Sequence, residues 1–524
     1  MILSAFPLDP SGALHLKKIL AGERSNKSVD ALIQHVLDLG AKYAILEAPY
    51  IDQDYSADYQ TFYALAFKTY PRHTKRLHLF EDDVSDILEA DFADQAEAFK
   101  TRRYLGFVVI RPITQGPIGR TVLTFPRLAA GLTVRPAARA KFEINLVGAP
   151  LSVVGAPFIQ QESKVGACAQ AAIWMASLAV HARHRRTGWY SMADITRLAG
   201  TPTDATLSQA LPAGSNGLNP IHMIRALSGM GHQPLFDLFS EDGQGLKGPS
   251  TISQVMRYLD SGLPVILAMD KIEHAVTAVG YVEVAGGALR DDQTYDTFVR
   301  ALVVHDDQRG PYRLMPISLD DVDVLPRDRL LMNHETVLTV ADVVSHMFVP
   351  LPPRVFLRAD RADTVARDFL RRQASELAGV YVEALGADTP AGLRAKAFFS
   401  AAIEDRIIRR TYLTSAARYR HHLAKNTVSD RIKSQLLSRT LPHFVWVTEL
   451  MEVSAAQIEP GGPRPIIGHL VTNATSSSDP DSDLLLAHMP HIVVHRDLDT
   501  DDAEFDEEAI LIDEDGPYLS RVRR

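Results

Sequence analysis

The stretch QQESKVGACAQAAIWMASLAV, residues 160–180, decides how the rest of the chain is read. From Ala167 onward it is rich in helix formers, and Gly166 stands just before that run. Arg183, His184, Arg185 and Arg186 follow, where positive charge suits the C-terminal end of a helix dipole. The pattern predicts a helix over 167–180 with Cys168 in its first turn. Cys168 is the single cysteine of 524 residues. No intramolecular disulfide can form, and a thiolate-based zinc or iron–sulfur site cannot be built within one chain. The chemistry left to this sulfur is that of a nucleophile. The unpaired N–H groups and the dipole at a helix start favour a thiolate, and one of those N–H groups can meet a developing oxyanion. Gln160 and Gln161, just upstream, offer a side-chain amide for the same purpose.

Downstream, helical spacing recurs near 192–198, 220–229 and 252–259. Short strands then take over: PVILAM (264–269), HAVTAVGYVEV (274–284) and TFVRALVVHD (297–306). Helices first and strands later is an α+β pattern, unlike alternating βαβ units. His274 begins one strand and Asp306 ends the next, and adjacent strands can bring the two within reach. The carboxylate would hold one imidazole nitrogen and leave the other for the thiol. Asp307 is the rival orienter if the register differs by one. Cysteine, histidine and carboxylate together make a thiol acyl-transfer site.

The segments QQESKVGACAQAAIWM, SGLPVILAM, HAVTAVGY and VVHDDQRGPY resemble papain-like cysteine peptidases, in particular the branch of double-glycine leader peptidases of bacteriocin exporters. The resemblance spans roughly residues 155–320. It implies a papain-like core, with a nucleophile helix packed on an antiparallel sheet. It further implies Cys168 as nucleophile, His274 as general base and acid, and Asp306 as orienter. The oxyanion hole would be completed by an upstream glutamine. That family places the glutamine six residues before the cysteine, where this chain has Glu162; Gln161 and Gln160 lie one and two positions further back, and Ala169 replaces the usual glycine. The activity implied is cleavage of a protein or peptide through an acyl-enzyme on Cys168, with no cofactor and no metal. The same triad serves glutamine deamidation or transglutaminase-type acyl transfer. A non-catalytic papain-like binding or scaffold protein is the third reading.

Three domains are expected: 1–150 mixed α/β, 151–330 the peptidase-like unit, and 331–524 α/β with a long helical region and an acidic tail. In the first, helices are predicted over 28–39, 57–68 and 84–103, with strands over 105–113 and 116–123. Asp82, Asp83, Asp86 and Glu89 read as a solvated helix face. In the last, a helical region is predicted over 362–434, strands near 444–450, 465–470 and 491–495, a loop over 476–483 and an exposed acidic tail over 497–508. Arg406, Arg409, Arg410, Arg418 and Arg420 read as a solvated helix face, Trp174 as core, and His305 as facing away from Asp306. The flanks offer surfaces for a regulatory protein partner.

Lys and Arg number 55 against 64 Asp and Glu, a net charge of −9 that gives no reason to expect a nucleic-acid partner. Pro7, Asp9 and Pro10 interrupt the apolar N-terminus, so it does not read as a secretory signal. No apolar run approaches the length of a membrane span. With no disulfide, the expected compartment is the cytoplasm.

Overall fold

The computed structural model describes residues 2–162, 168–184, 188–200, 218–239, 251–284, 294–425, 429–452, 466–476, 483–496 and 507–512. Its architecture follows from the segment read first. The helix Cys168–His184 is buried from Ala169 through Val180. A helix apolar on every side must be covered on every side. Its many alanines let neighbouring backbones approach closely. It packs on the strand His274–Val284, on the strands Ala140–Leu146 and Ala149–Phe158, and on the helices Met192–Leu198 and Pro220–Gly229. Thr277 fixes the register of that packing, its Oγ1 donating to the Ala172 carbonyl at 3.1 Å.

Among the described residues three large antiparallel sheets and one two-stranded ribbon, Met332–Asn333 with Thr336–Val337, build the rest, and the molecule is of mixed α+β class. The N-terminal sheet runs Ile2–Pro7, Tyr43–Tyr50, Thr74–Phe80, Tyr104–Ile110, Ile118–Leu123, Ala149–Phe158, Ala140–Leu146 in spatial order. The central sheet runs Gly310–Pro316, Val299–Asp306, His274–Val284, Val265–Met269, His346–Leu351, Gln233–Leu238, and Leu132–Pro136 also pairs with His274–Val284. The C-terminal sheet is a meander in chain order from Ile407–Ser415 to Glu507–Leu511. The chain exchanges elements at its seams. Leu132–Pro136 joins the central sheet from before residue 150, and His346–Leu351 joins it from after residue 330.

Three sequence expectations are corrected. The helix expected over 57–68 ends early: Gln53–Asp58 is α-helical and Tyr59–Tyr63 forms one wider turn. The helix expected over 84–103 divides into a 3-10 turn, Ser85–Glu89, and a helix, Phe92–Thr101. Gln95 stabilises the break, its Nε2 turning back to the carbonyls of Leu88 (3.3 Å) and Ala90 (2.7 Å). The helical region expected over 362–434 is interrupted by the strand Ile407–Ser415. Its sequence IIRRTYLTS is dominated by β-branched and aromatic residues, which suit a pleated, paired surface. Arg409 and Arg410 are therefore buried on a strand rather than solvated on a helix. The greater part of the expected loop at 476–483 and of the acidic tail at 497–508 lies outside the described residues.

The buried arginines join the C-terminal sheet to the central unit. Arg410 makes a two-point contact with Asp260, Nη2 to Oδ1 at 2.8 Å and Nε to Oδ2 at 3.0 Å, and a third with Glu449 at 3.1 Å. The rings of Tyr295 and Tyr412 flank its guanidinium. Arg257 and Arg409 share Asp363 at 3.1 and 3.3 Å. Planar guanidinium groups match carboxylates at two points, and this geometry offsets the cost of taking both charges out of water.

Candidate active site

The hairpin Val265–Met269/His274–Val284 pairs Met269 with His274, so the imidazole sits at the first residue of its strand. The residue before it, Glu273, is held in the left-handed region at φ +48°. A non-glycine residue there is under backbone strain, which persists only where the surroundings enforce it. The next strand, Val299–Asp306, pairs Thr277 with His305 and ends beside His274. The first residue of the central helix, Cys168, reaches the same place: its thiol lies 3.9 Å from the carbonyl of Glu273, the residue just before His274. Three segments far apart in sequence thus meet at one imidazole.

His274 Nε2 lies 3.1 Å from Asp306 Oδ1 and 3.7 Å from Asp307 Oδ1. The side chain of His274 is 3% exposed, and neither carboxyl is exposed at all. The arrangement is close but slack. Neither ring nitrogen of His274 has an aligned hydrogen-bond partner, and the thiol of Cys168 points at the Glu273 carbonyl, 3.9 Å away. Catalytic hydrogen bonds in unliganded sites are often loose in this way.

The two aspartates have different surroundings. Asp306 Oδ1 accepts the backbone N–H of Gln308 (2.8 Å) and Arg309 (2.9 Å), and Oδ2 accepts Nη1 of Arg309 (3.0 Å). Arg309 is itself anchored on the Met332 carbonyl (2.7 Å) and Asn333 Oδ1 (2.9 Å). Asp306 therefore closes the turn after its strand and is aimed at His274 by the same contacts. Neither oxygen of Asp307 has a hydrogen-bond partner.

The charges follow from this. Burial alone would push the Asp306 carboxyl up, but His274, Arg309 and the Gln308 N–H overcome it and hold it down at about 2. Burial works against an imidazolium at His274. The charge and contact of Asp306 outweigh it, with Cys168 and Asp307 adding, and keep the ring protonated well above the ordinary histidine range. Burial dominates at Asp307; His274 pulls it down, Asp306 pushes it up, and the carboxyl is raised to about 7. One carboxyl is thus held as an anion beside an imidazolium, while burial and that anion push its neighbour's carboxyl upward.

The two glutamines part company. Gln160 is buried, its Nε2 donating to Asn26 Oδ1 at 3.0 Å, while its backbone carbonyl accepts from Arg111 at 2.6 Å. Its amide is spent on the N-terminal unit. Gln161 is half-buried and lines a cavity of about 450 Å³ beside Asp307, with Asn26, Gln115 and Gln308 in the wall. Glu162 is buried, near enough to Tyr55 and Asp58 to act on both electrostatically.

Several supporting residues escaped the sequence reading. Trp174 is core, as expected, but its Nε1 also donates to Asp54 Oδ1 at 3.0 Å, and Trp189 donates to the same oxygen at 3.0 Å. Burial, with Asp52 adding, raises the Asp54 carboxyl to about 6. The N-terminal unit thereby grips the central helix. Arg309 was not singled out in the sequence, though an arginine three residues after Asp306 can reach back to anchor its carboxylate. His305 turns away from the site, its Nδ1 on the Pro157 carbonyl at 3.1 Å, and burial lowers it to about 3.

His274, Asp306 and Asp307 also offer one donor atom each within 4.8 Å of one another, a spacing at which a divalent cation can be shared. The Arg309 guanidinium and two backbone N–H groups already occupy Asp306, which weakens that donor set. No protein-family model matches this chain. No curated protein matches it at a significant level.

Proposed function

We propose that the chain is a thiol-dependent hydrolase, a cysteine peptidase acting on a protein or peptide through an acyl-enzyme on Cys168. The observation that carries this reading is geometric: Asp306 lies 3.1 Å from His274, and the half-buried Cys168 thiol reaches the carbonyl of Glu273, the residue just before that histidine. The helix-on-antiparallel-sheet arrangement, with histidine and aspartate on neighbouring strands, supports a papain-like core.

In the first step the thiolate of Cys168 attacks the scissile carbonyl carbon, and a C–S bond forms. The oxyanion would be met by the N–H of Cys168, with Gln161 the remaining glutamine candidate because the Gln160 amide is already engaged with Asn26. The protonated His274 gives its proton to the leaving amine as the C–N bond breaks. A water then enters and gives its proton to His274 as its oxygen attacks the acyl carbon; the C–S bond breaks, the acid is released, and the thiolate and protonated His274 are restored. Asp306 stabilises the imidazolium throughout and fixes which nitrogen faces the sulfur. A cytoplasmic setting and a protein partner on the flanking units belong to the same proposal.

The test is mass measurement of a peptide library incubated with wild type and with Cys168→Ala, with and without a chelator. Cleavage that needs Cys168 and survives chelation is the expected result. Intact peptides carrying amide-to-acid changes would move the reading to deamidation. Cleavage that disappears with the chelator would move it to the shared cation site.

A further inference from the structure

At the far end of the central helix lies a second cavity, of about 300 Å³, between that helix and the C-terminal sheet. Sixteen residue steps separate Cys168 from His184, about 24 Å along the axis, so this cavity is distinct from the candidate active site. Its wall has two characters. Val180, Leu263, Leu413 and Phe444 supply an apolar floor. Arg183, His184, His232, His443 and Arg418 supply the polar groups, and no carboxylate is among the lining residues.

Two further features point to an anion. The first turn of the helix Ala416–Ala424, capped by Ser415, lines the cavity and brings the positive end of a helix dipole to it. His232 is 6% exposed, and its Nε2 is buried with no hydrogen-bond partner. A buried ring nitrogen left unsatisfied costs stability unless something completes it. Arg418 is exposed at the rim.

We infer that this cavity binds a small amphipathic anion, an aryl or short acyl group bearing a phosphate or carboxylate. The anionic head meets Arg418 and the N–H of His232, and the apolar body lies on Leu263, Leu413 and Phe444. Burial holds the free His232 neutral, lowered to about 4, and a bound anion would reverse part of that shift.

The experiment uses the full chain and phenyl phosphate as probe, with inorganic phosphate and benzyl alcohol as comparators. Calorimetric titration should show saturable binding of phenyl phosphate, and binding about tenfold or more weaker for each comparator, because each lacks half of the contacts. Arg418→Gln, a change at an exposed side chain, should weaken phenyl phosphate by about tenfold while leaving Tm unchanged. The imidazole signal of His232 in the NMR spectrum should move on adding the probe to wild type. Equal affinity in Arg418→Gln, equal affinity for benzyl alcohol, or an unmoved His232 signal would each overturn the assignment.

Discussion

Two regions of this molecule bury acidic groups beside cationic ones, and they do it in opposite ways. At the seam with the C-terminal sheet, Arg410 contacts both oxygens of Asp260 and one of Glu449, two aromatic rings flank its guanidinium, and none of the three side chains leaves a polar atom unpartnered. At the candidate active site, both ring nitrogens of His274 and both oxygens of Asp307 are buried without an aligned partner. A closed network holds two units together. An open one keeps hydrogen-bonding capacity in reserve, and a reacting group can draw on it.

The comparison can be broken first at the seam. Arg410→Ala leaves Asp260 and Glu449 buried without their cation, and should cost about 3–5 kcal/mol in denaturant unfolding. A loss below about 1 kcal/mol would mean that the seam is not the closed network described.

The next effect is on titration. His274 is raised and Asp306 lowered, so their pair stabilises the fold across the interval between. The histidine's share is complete below its ordinary pKa of about 6.5 and is lost as pH rises through its raised value. The aspartate's share is complete above about 3.8 and is lost as pH falls toward about 2. In Asp306→Asn the His274 imidazole, followed by NMR, should deprotonate at clearly lower pH than in wild type. An unchanged titration would remove Asp306 from its role and leave Asp307 in its place.

The smallest effect has the opposite sign to the first. A carboxyl raised to about 7 keeps, when folded, a proton that the unfolded chain gives up near its ordinary 3.8. Its contribution to stability therefore falls as pH rises between these values. Asp307→Asn removes that cost, and should be more stable than wild type above about pH 7 by about 1 kcal/mol or more, with the difference shrinking toward about pH 4. A loss of stability at high pH would show Asp307 to be an ion-pair partner of His274.

The elements that carry the candidate residues were more legible than their surroundings. A single cysteine at the head of an alanine-rich run, a histidine opening a strand and an aspartate closing the next are local patterns, and the strands His274–Val284 and Val299–Asp306 carry them to one place. The separation of Asp306 from Asp307 was not legible, because it rests on Arg309 reaching Met332 and Asn333 across the fold. Nor was the engagement of Gln160, since Asn26 lies far away in sequence. The strand Ile407–Ser415 was hidden for another reason. Two adjacent arginines look solvated until Asp260, Asp363 and Glu449 are found buried beside them.

The central claim is that Cys168 reacts as a partner of His274. It is tested most directly by the rate at which iodoacetamide alkylates the single cysteine of the full chain as pH is varied. The account predicts rapid alkylation of wild type at about pH 6, below the ordinary thiol range of about 8.5, and a rate at least about tenfold lower in His274→Ala. Alkylation of wild type that appears only near pH 8.5, at the same rate with or without His274, would contradict it.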